Sequence, residues 1–388
     1  MKINYSERIK KLPPYLFVEI DRKKKAAAER GVDIISLGVG DPDTPTPKHI
    51  VEAMKKAVAK PEHHHYPFGA GIMKFRQAVS DWYKDRFNVD LNPENEIHSL
   101  IGSKEGIGHI HLAFINPGDT VLVPEPGYPV YNCGTIFSDG ISYFLPLREE
   151  NNFLPQLEKI PEKISRKAKI LFINYPNNPT AATAKLDFYK RVVKYAKKYG
   201  IIVCSDAAYS EIYYDGKKPH SFLEVKGAKE VGIEFHSLSK TYNMTGWRLG
   251  WACGNAGVIN GLAKVKDNYD SGVFSAIQEA GVCALTSSQK CVEDMRRMYQ
   301  GRRDVFVGAL TALGWKVNKP QATFYVWARV PQGYTSAKAV SRLLDDAGIV
   351  CTPGSGLGPS GDGYVRFALT VPEKRLRQAA ERIAKIKW

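Results

Sequence analysis

The chain has 388 residues, enough to bury a large core and to divide between two domains, and its 44% hydrophobic and 24% charged content with 33 Gly and 23 Pro is that of an ordinary globular protein. The formal charge of +15 arises from runs such as Lys23-Lys24-Lys25, Lys55-Lys56 and Lys197-Lys198, which helical spacing places on the water side. No aromatic-basic module accompanies them, so no nucleic-acid partner is expected, only a field that gathers anionic small molecules.

No apolar run approaches the ~20 residues of a membrane span, so no membrane partner is expected. The opening residues Met1 to Arg8 lack the apolar core of a signal peptide, which points to the cytoplasm. The six cysteines lie far apart without metal-ligand spacing and read as free thiols. His63-His64-His65 follows Pro61-Glu62 in an expected loop, and three adjacent histidines cannot all face one ion from a strand, so no metal is assigned.

The first elements are Leu12-Pro13-Pro14-Tyr15-Leu16-Phe17 and a polar helix from about Val18 to Arg30, stopped by Gly31. A short strand from Asp33 then runs into Leu37-Gly38-Val39-Gly40-Asp41-Pro42-Asp43, whose glycines let backbone approach a ligand. As a dinucleotide fingerprint this turn fails, because no helix opens at once and no acidic residue sits about 20 positions on. After a loop carrying Tyr66 and Gly69 comes a helix from Ile72 to Phe87. The segment Leu100 to Gly106 turns a strand into a helix that continues to Ile115; its free N–H groups, with Ser103 and Lys104, make a candidate phosphate site, or else Ser103 is a plain helix cap.

Strands and helices then alternate. Strands are expected at Thr120–Val123, Tyr143–Leu145, Lys169–Asn174 and Ile201–Asp206, with a turn at Pro124 to Pro129 that carries Tyr128. The bend Pro176 to Thr180 precedes a helix from about Ala184 to Tyr199. Such alternation predicts an α/β fold, a mostly parallel sheet covered by helices on both faces, with ligands beyond the carboxyl ends of its strands. Tyr128, Asn178, Asp206 and Lys240 all fall at those ends.

The stretch His236 to Trp251 carries the chemistry. Lys240 lies in a Ser/Thr-rich bend, with Ser237 and Ser239, just after the apolar run Val231 to Phe235, and Arg248 follows eight residues later. Lysines belong on solvated faces. One that is poorly solvated and close to a second cation loses its proton readily and becomes a nucleophile towards aldehydes. Beside a cup of hydroxyls and an arginine that grips phosphate, this arrangement suits pyridoxal 5'-phosphate. An aspartate ending an apolar strand, Asp206, calls for a cationic partner, which the ring nitrogen of that cofactor provides. Tyr209 and Asn178 can donate to the ring oxygen, and Tyr128 offers a flat face. Each residue taken singly also has an ordinary structural reading; their joint position at one sheet edge is what favours the cofactor.

Beyond this, Gly257 to Leu285 reads as a long helical region, followed by a helix from Cys291 to about Leu313. Strands expected at Phe324–Ala328, Ile349–Thr352 and Tyr364–Leu369 look antiparallel. The expected division is a large domain over 46–285 and a smaller α+β domain made of 1–45 with 286–388.

The order Asn-Pro-Thr, Asp-x-x-Tyr, Ser-x-Ser-Lys with an arginine eight further on, and a late Arg-Phe-Ala-Leu resembles the aspartate-aminotransferase superfamily of fold type I, from about Leu12 to the C-terminus. That resemblance implies a seven-stranded sheet sandwiched by helices. It implies that Lys240 joins the cofactor covalently and moves the proton, that Asp206 pairs with the ring nitrogen, and that Asn178 and Tyr209 hold the ring oxygen. Tyr128 would stack, Ser103, Lys104, Ser237 and Arg248 would hold phosphate, and Arg366 would bind the substrate α-carboxylate. Tyr66 is similar to the tyrosine that reaches a neighbouring subunit's phosphate, which implies a homodimer with shared active sites.

The N-terminal arm and Gly102-Ser103-Lys104-Glu105-Gly106 are similar to the LL-diaminopimelate aminotransferases, which implies Tyr15 and Gly40 as substrate contacts and 2-oxoglutarate as amino acceptor. In plant-type members an acidic residue stands three after the inter-subunit tyrosine; here it is Gly69. Alanine, aspartate or aromatic aminotransferases and a carbon–sulfur lyase share the scaffold and are the rival expectations. A DNA-binding regulator would need a reading module, and no helix-turn-helix pattern precedes the catalytic part.

Overall fold

The structure, a computed structural model, describes residues 3–13, 22, 25, 29 and 31–388. Tyr15 and most of the helix expected over 18–30 lie outside the described residues.

After a two-residue strand β1 (Ile35–Ser36), seven strands form the central sheet: β2 (Ile97–Leu100), β3 (Thr120–Glu125), β4 (Ile141–Pro146), β5 (Ala168–Asn174), β6 (Ile202–Asp206), β7 (Gly232–Ser237) and β8 (Gly250–Gly254). Their order is β2-β8-β7-β6-β5-β3-β4. The pairs from β7 to β4 are parallel, while β8 runs antiparallel to both of its neighbours. Strands buried on both faces read as nearly continuous apolar runs, which is how β5 is written from Ile170 to Ile173; β7 is also buried throughout but carries Glu234 and His236, whose side chains are bonded to Tyr83 and Ser221 and to Ser210. Side chains still alternate: Leu171 and Ile173 of β5 enter one core layer, Ile170 and Phe172 the other.

Helices fill both layers. On one side Ser103–Phe114 and Ala256–Tyr269 contribute Ile107, Ile110, Val258 and Leu262. On the other, Met73–Phe87, Leu186–Tyr199 and Ser275–Thr286 pack against the sheet. In Leu186–Tyr199 the buried positions Phe188, Tyr189, Val192, Val193 and Ala196 recur at helical spacing, and Gly200 at φ 67° ends the helix in the left-handed conformation that a side chain resists. Each fully buried side chain such as Val192 contributes about 1.5 to 3 kcal/mol of burial energy.

Three expectations need correction. The region Gly257 to Leu285 is two helices, broken at Asp270–Phe274, where Ser271 and Gly272 take positive φ and the Asp270 carboxylate accepts from Lys266 and the Gly272 N–H. Pro61–His64 is a short 3-10 helix rather than a loop, and it buries His63, whose Nδ1 bonds Ala57 O at 2.8 Å. The strand expected over 349–352 is split at Cys351: β10 (Ile349–Val350) pairs in parallel with β1, while β11 (Thr352–Pro353) joins an antiparallel sheet with β12 (Tyr364–Ala368) and β9 (Tyr325–Arg329). The backbone changes partner there because Val350 O accepts from Leu37 N and Thr352 Oγ1 donates to Gly38 O, tying the Leu37–Gly40 turn across this junction.

Candidate active site

The strand registers bring the site together. Leu100 at the end of β2 and Ser237 at the end of β7 both pair with Gly250, the first residue of β8, so the helix start at Ser103, the Ser237–Lys240 bend and Arg248 converge on one point. Two glycines permit this. A Cβ on Gly250 would press on His236 O and lie 2.9 Å from Ser103 N, and one on Gly102, at φ 72°, would overlap the Arg248 guanidinium. Arg248 is held by Thr245 O at 2.9 Å and Ile101 O at 3.3 Å. Backbone donors at a helix start, three serine hydroxyls and a guanidinium form an anion cup.

Next to it, β5 and β6 end side by side, with Asn174 opposite Asp206. Asn174 Nδ2 donates to Asp206 O at 2.8 Å and its Oδ1 accepts from Asn178 N at 2.8 Å, which fixes the bend bearing Asn178 against the strand bearing Asp206. The Asp206 carboxylate is 5% exposed and is met by the Tyr131 hydroxyl at 2.7 Å and the Ala208 N–H at 3.3 Å, neither of them a cation. Burial pushes its pKa up to about 6 against the pull of those donors. A protonated ring nitrogen is the partner that such a carboxylate lacks.

Lys240 Nζ donates to Gly40 O at 2.9 Å. Desolvation lowers its pKa to about 8; nearby Asp41 opposes the shift, and Arg248 and Arg366 add to it. Arg366, 1% exposed, spreads its guanidinium over Asn178 Oδ1 at 2.8 Å, Gly38 O at 2.8 Å and Thr352 Oγ1 at 3.2 Å, while its Nε is buried without a partner. An ionised carboxylate suits that orphaned donor.

Ser103, Ser237, Arg248, Asn174, Asn178, Asp206, Lys240, Gly40 and Arg366 border one cavity of about 530 Å³, together with Lys104, Tyr128, Tyr209 and Ser239. The structure therefore collects Ser103, Lys104, Tyr128, Asn178, Asp206, Tyr209, Ser237, Ser239, Lys240, Arg248, Gly40 and Arg366 around one space. Tyr66 does not line it; with Phe68 it stands 76% exposed on the surface. Missed from the sequence were Asn174, Tyr131 and Tyr325. Tyr131, three residues after Tyr128 on a helix turn, was open to inference; Tyr325 gave no signal beyond an apolar strand. A second cluster, Glu105, His109 and Asp270, places ligand-type atoms within 4.8 Å of one another, but the Lys266 ammonium bonds Glu105 at 2.9 Å and Asp270 at 3.0 Å and supplies the charge they need.

The family model for aminotransferases of class I and II matches residues 32–383. The chain belongs to that family. It is 58% identical over 383 residues, 99% of each chain, to an LL-diaminopimelate aminotransferase of Aquifex aeolicus, and 56% identical over 98% of each to one of Moorella thermoacetica. Among solved structures, BacF of Bacillus subtilis superposes with a TM-score of 0.95 at 40% identity over 99% of this chain and 98% of that one. A mutant aspartate aminotransferase of Thermus thermophilus gives 0.92 at 30% identity over 99% and 100%. The family is pyridoxal-phosphate-dependent, its members act on amino and keto acids, and the fold is that of the fold type I aminotransferases. The residues of this aminotransferase fit the cofactor: an anion cup for its phosphate, an unneutralised buried carboxylate for its ring nitrogen, and a partly deprotonated amine for its aldehyde.

Proposed function

We propose that this aminotransferase moves an amino group between LL-diaminopimelate and 2-oxoglutarate, running in lysine biosynthesis from glutamate to tetrahydrodipicolinate. The observation that carries the reading is the identity of 58% over 99% of both chains to a relative of that name.

Pyridoxal 5'-phosphate, when bound, supplies an aldehyde that takes up the amino group and a ring that draws electrons from the Cα–H bond. Ser103, Ser237, Ser239, Lys104 and Arg248 hold its phosphate, Tyr128 covers a ring face, Asp206 holds the charge on the ring nitrogen, and Tyr209 and Asn178 donate to the ring oxygen. Lys240 Nζ, its pKa lowered to about 8 by burial, takes the substrate Cα proton and returns it. Arg366 grips the α-carboxylate in two-pronged fashion, which sets Cα towards Lys240. Gly40 borders the cavity and is proposed as a substrate contact, and the resemblance to LL-diaminopimelate aminotransferases adds Tyr15 as another.

We also infer that two copies share their sites, with Tyr66 reaching the neighbour's phosphate; its exposure beside Phe68 supports this. Mixing a Tyr66→Phe with a Lys240→Ala variant tests it, because only shared sites raise the activity per intact Lys240 in the hybrid above that of the Tyr66→Phe variant alone. A cytoplasmic setting suits six free cysteines, and among the described residues no helix is long and apolar enough to cross a membrane.

The decisive assay compares LL-diaminopimelate, alanine, aspartate and phenylalanine as donors to 2-oxoglutarate. The highest kcat/KM is expected for LL-diaminopimelate. An equal or higher value for another donor overturns the substrate, and a keto acid formed without an acceptor assigns a lyase instead.

A further inference from the structure

Tyr325 stands where the two halves of the site meet. It opens β9, is 3% exposed, and its hydroxyl lies 3.1 Å from that of Tyr209. Its ring carries the Arg366 guanidinium 4.3 Å above the centroid. Its hydroxyl also fills the space that any side chain at position 40 would need, next to the carbonyl that receives Lys240 Nζ. One side chain thus touches the group placed to bond the ring oxygen, the group placed to bind carboxylate and the turn that holds the lysine.

We propose that Tyr325 is a positioning residue with two separable functions: its hydroxyl sets Tyr209 as a donor to the cofactor's ring oxygen, and its ring is the shelf that keeps Arg366 flat for a carboxylate. The first follows from hydroxyl chemistry. A phenol that accepts one hydrogen bond donates its own proton more strongly, so an O–H from Tyr325 to Tyr209 Oη turns the Tyr209 proton towards the cavity. The second follows from stacking. Arg366 is bonded at its Nη1 and Nη2 edges to neutral acceptors, its Nε is left without a partner, and the Tyr325 ring covers one face of the guanidinium, so the ring adds the support that keeps the plane from tilting. Gly40 belongs to the same device, since a methyl there would displace the Tyr325 hydroxyl.

The inference rests on the places given above to Tyr209 and Arg366, not on which amino acid is the substrate. It is tested on the cofactor-loaded enzyme with Tyr325→Phe, Tyr325→Leu and Tyr209→Phe. Two readouts are taken without turnover: the pH midpoint of the cofactor's visible absorbance, and the dissociation constant of maleate, a dicarboxylate with no amino or keto group, measured by calorimetry. A donor on the ring oxygen stabilises its negative charge and lowers the pH at which the chromophore loses a proton. Tyr325→Phe, which removes a single oxygen, is expected to raise that midpoint in the same direction as Tyr209→Phe, by less, while maleate affinity stays unchanged. Tyr325→Leu is expected to raise the midpoint and also to weaken maleate by about tenfold. If Tyr209→Phe moves the midpoint and Tyr325→Phe does not, the hydroxyl function is overturned. If Tyr209→Phe itself moves nothing, the assignment of Tyr209 fails instead. Loss of maleate affinity already in Tyr325→Phe overturns the separation of the two functions, and so does unchanged affinity in a folded Tyr325→Leu.

Discussion

Tyr131 donates its hydroxyl proton to Asp206 Oδ2 across 2.7 Å from a ring stacked on Phe172, with centroids 4.7 Å apart. The carboxylate is thereby aimed by a residue that does not border the cavity. Its position is set by the helix Val130–Phe137 and by β5, the strand next to the one that carries Asp206.

Tyr131→Phe leaves Asp206 with a single backbone donor, and a hydrogen bond to a buried charge contributes about 1.5 to 3 kcal/mol. Denaturant unfolding of cofactor-free protein at pH 7.5 is expected to show a loss in that range. At pH 5 the carboxyl is already protonated and the loss shrinks. A loss equal at both pH values would place the effect in ring packing.

The raised pKa of Asp206 has its own signature. Between its unfolded value of 3.8 and about 6 the folded protein binds the proton more tightly, so cofactor-free stability falls as pH rises through that window and levels off above it. The drop attributable to this group is about 2 to 3 kcal/mol. Asp206→Asn is expected to remove it, as seen in the difference between pH 4.5 and pH 7.5 in chemical denaturation. Binding the cofactor is expected to flatten the same slope in the parent protein.

Lys240 is expected to capture aldehyde with an apparent pKa near 8, well below a free lysine, because the charged form is poorly solvated. The rate of capture of pyridoxal 5'-phosphate by cofactor-free protein, followed by absorbance against pH, measures it. Arg248 opposes the ammonium, so Arg248→Gln shifts the profile upward; a downward shift contradicts the electrostatic account.

Arg366→Ala is expected to cost about 2 to 5 kcal/mol in kcat/KM, the range seen when one member of a buried charge pair is lost. Arg366→Lys recovers little, since a point charge cannot span Asn178, Gly38 O and Thr352 while meeting a carboxylate. Unchanged kinetics in the alanine variant would remove Arg366 from the site.

Gly102→Ala meets two obstacles at once, a positive φ of 72° and the Arg248 guanidinium. Cofactor affinity, read by dialysis of the reduced, non-covalent pyridoxamine form, is expected to weaken by about 1 to 3 kcal/mol. Gly108→Ala, in the same helix with open space around it, is the matched control.

That Asp206, Ser237, Ser239, Lys240 and Arg248 meet around one cavity was legible because these residues follow apolar runs. Apolar strands end in Asp206 and Ser237, and the residues that follow an apolar run at a sheet's carboxyl edge converge without any knowledge of register. What was not legible depends on pairing across long distances. Tyr325 sits in a strand whose apolar pattern says only that it is buried, and its three contacts come from Tyr209, Arg366 and Gly40 arriving from elsewhere. The split at Cys351 is similar: a continuous β-rich stretch carries no mark of where the backbone changes sheets. The break at Asp270–Phe274 escaped because apolar spacing resumes in phase on both sides of Gly272.

The parallel pairing of β1 with β10, and the bonds from Thr352 and Arg366 to Gly38 O, join segments more than 300 positions apart, 314 for Thr352. Ser103, Lys104, Ser237, Ser239 and Arg248 all precede position 251, whereas Arg366 comes from β12 in the C-terminal part. The cavity is therefore closed only when the two ends of the chain meet, and a polypeptide cut before β12 would keep the serines and Arg248 but lack the guanidinium on the opposite wall.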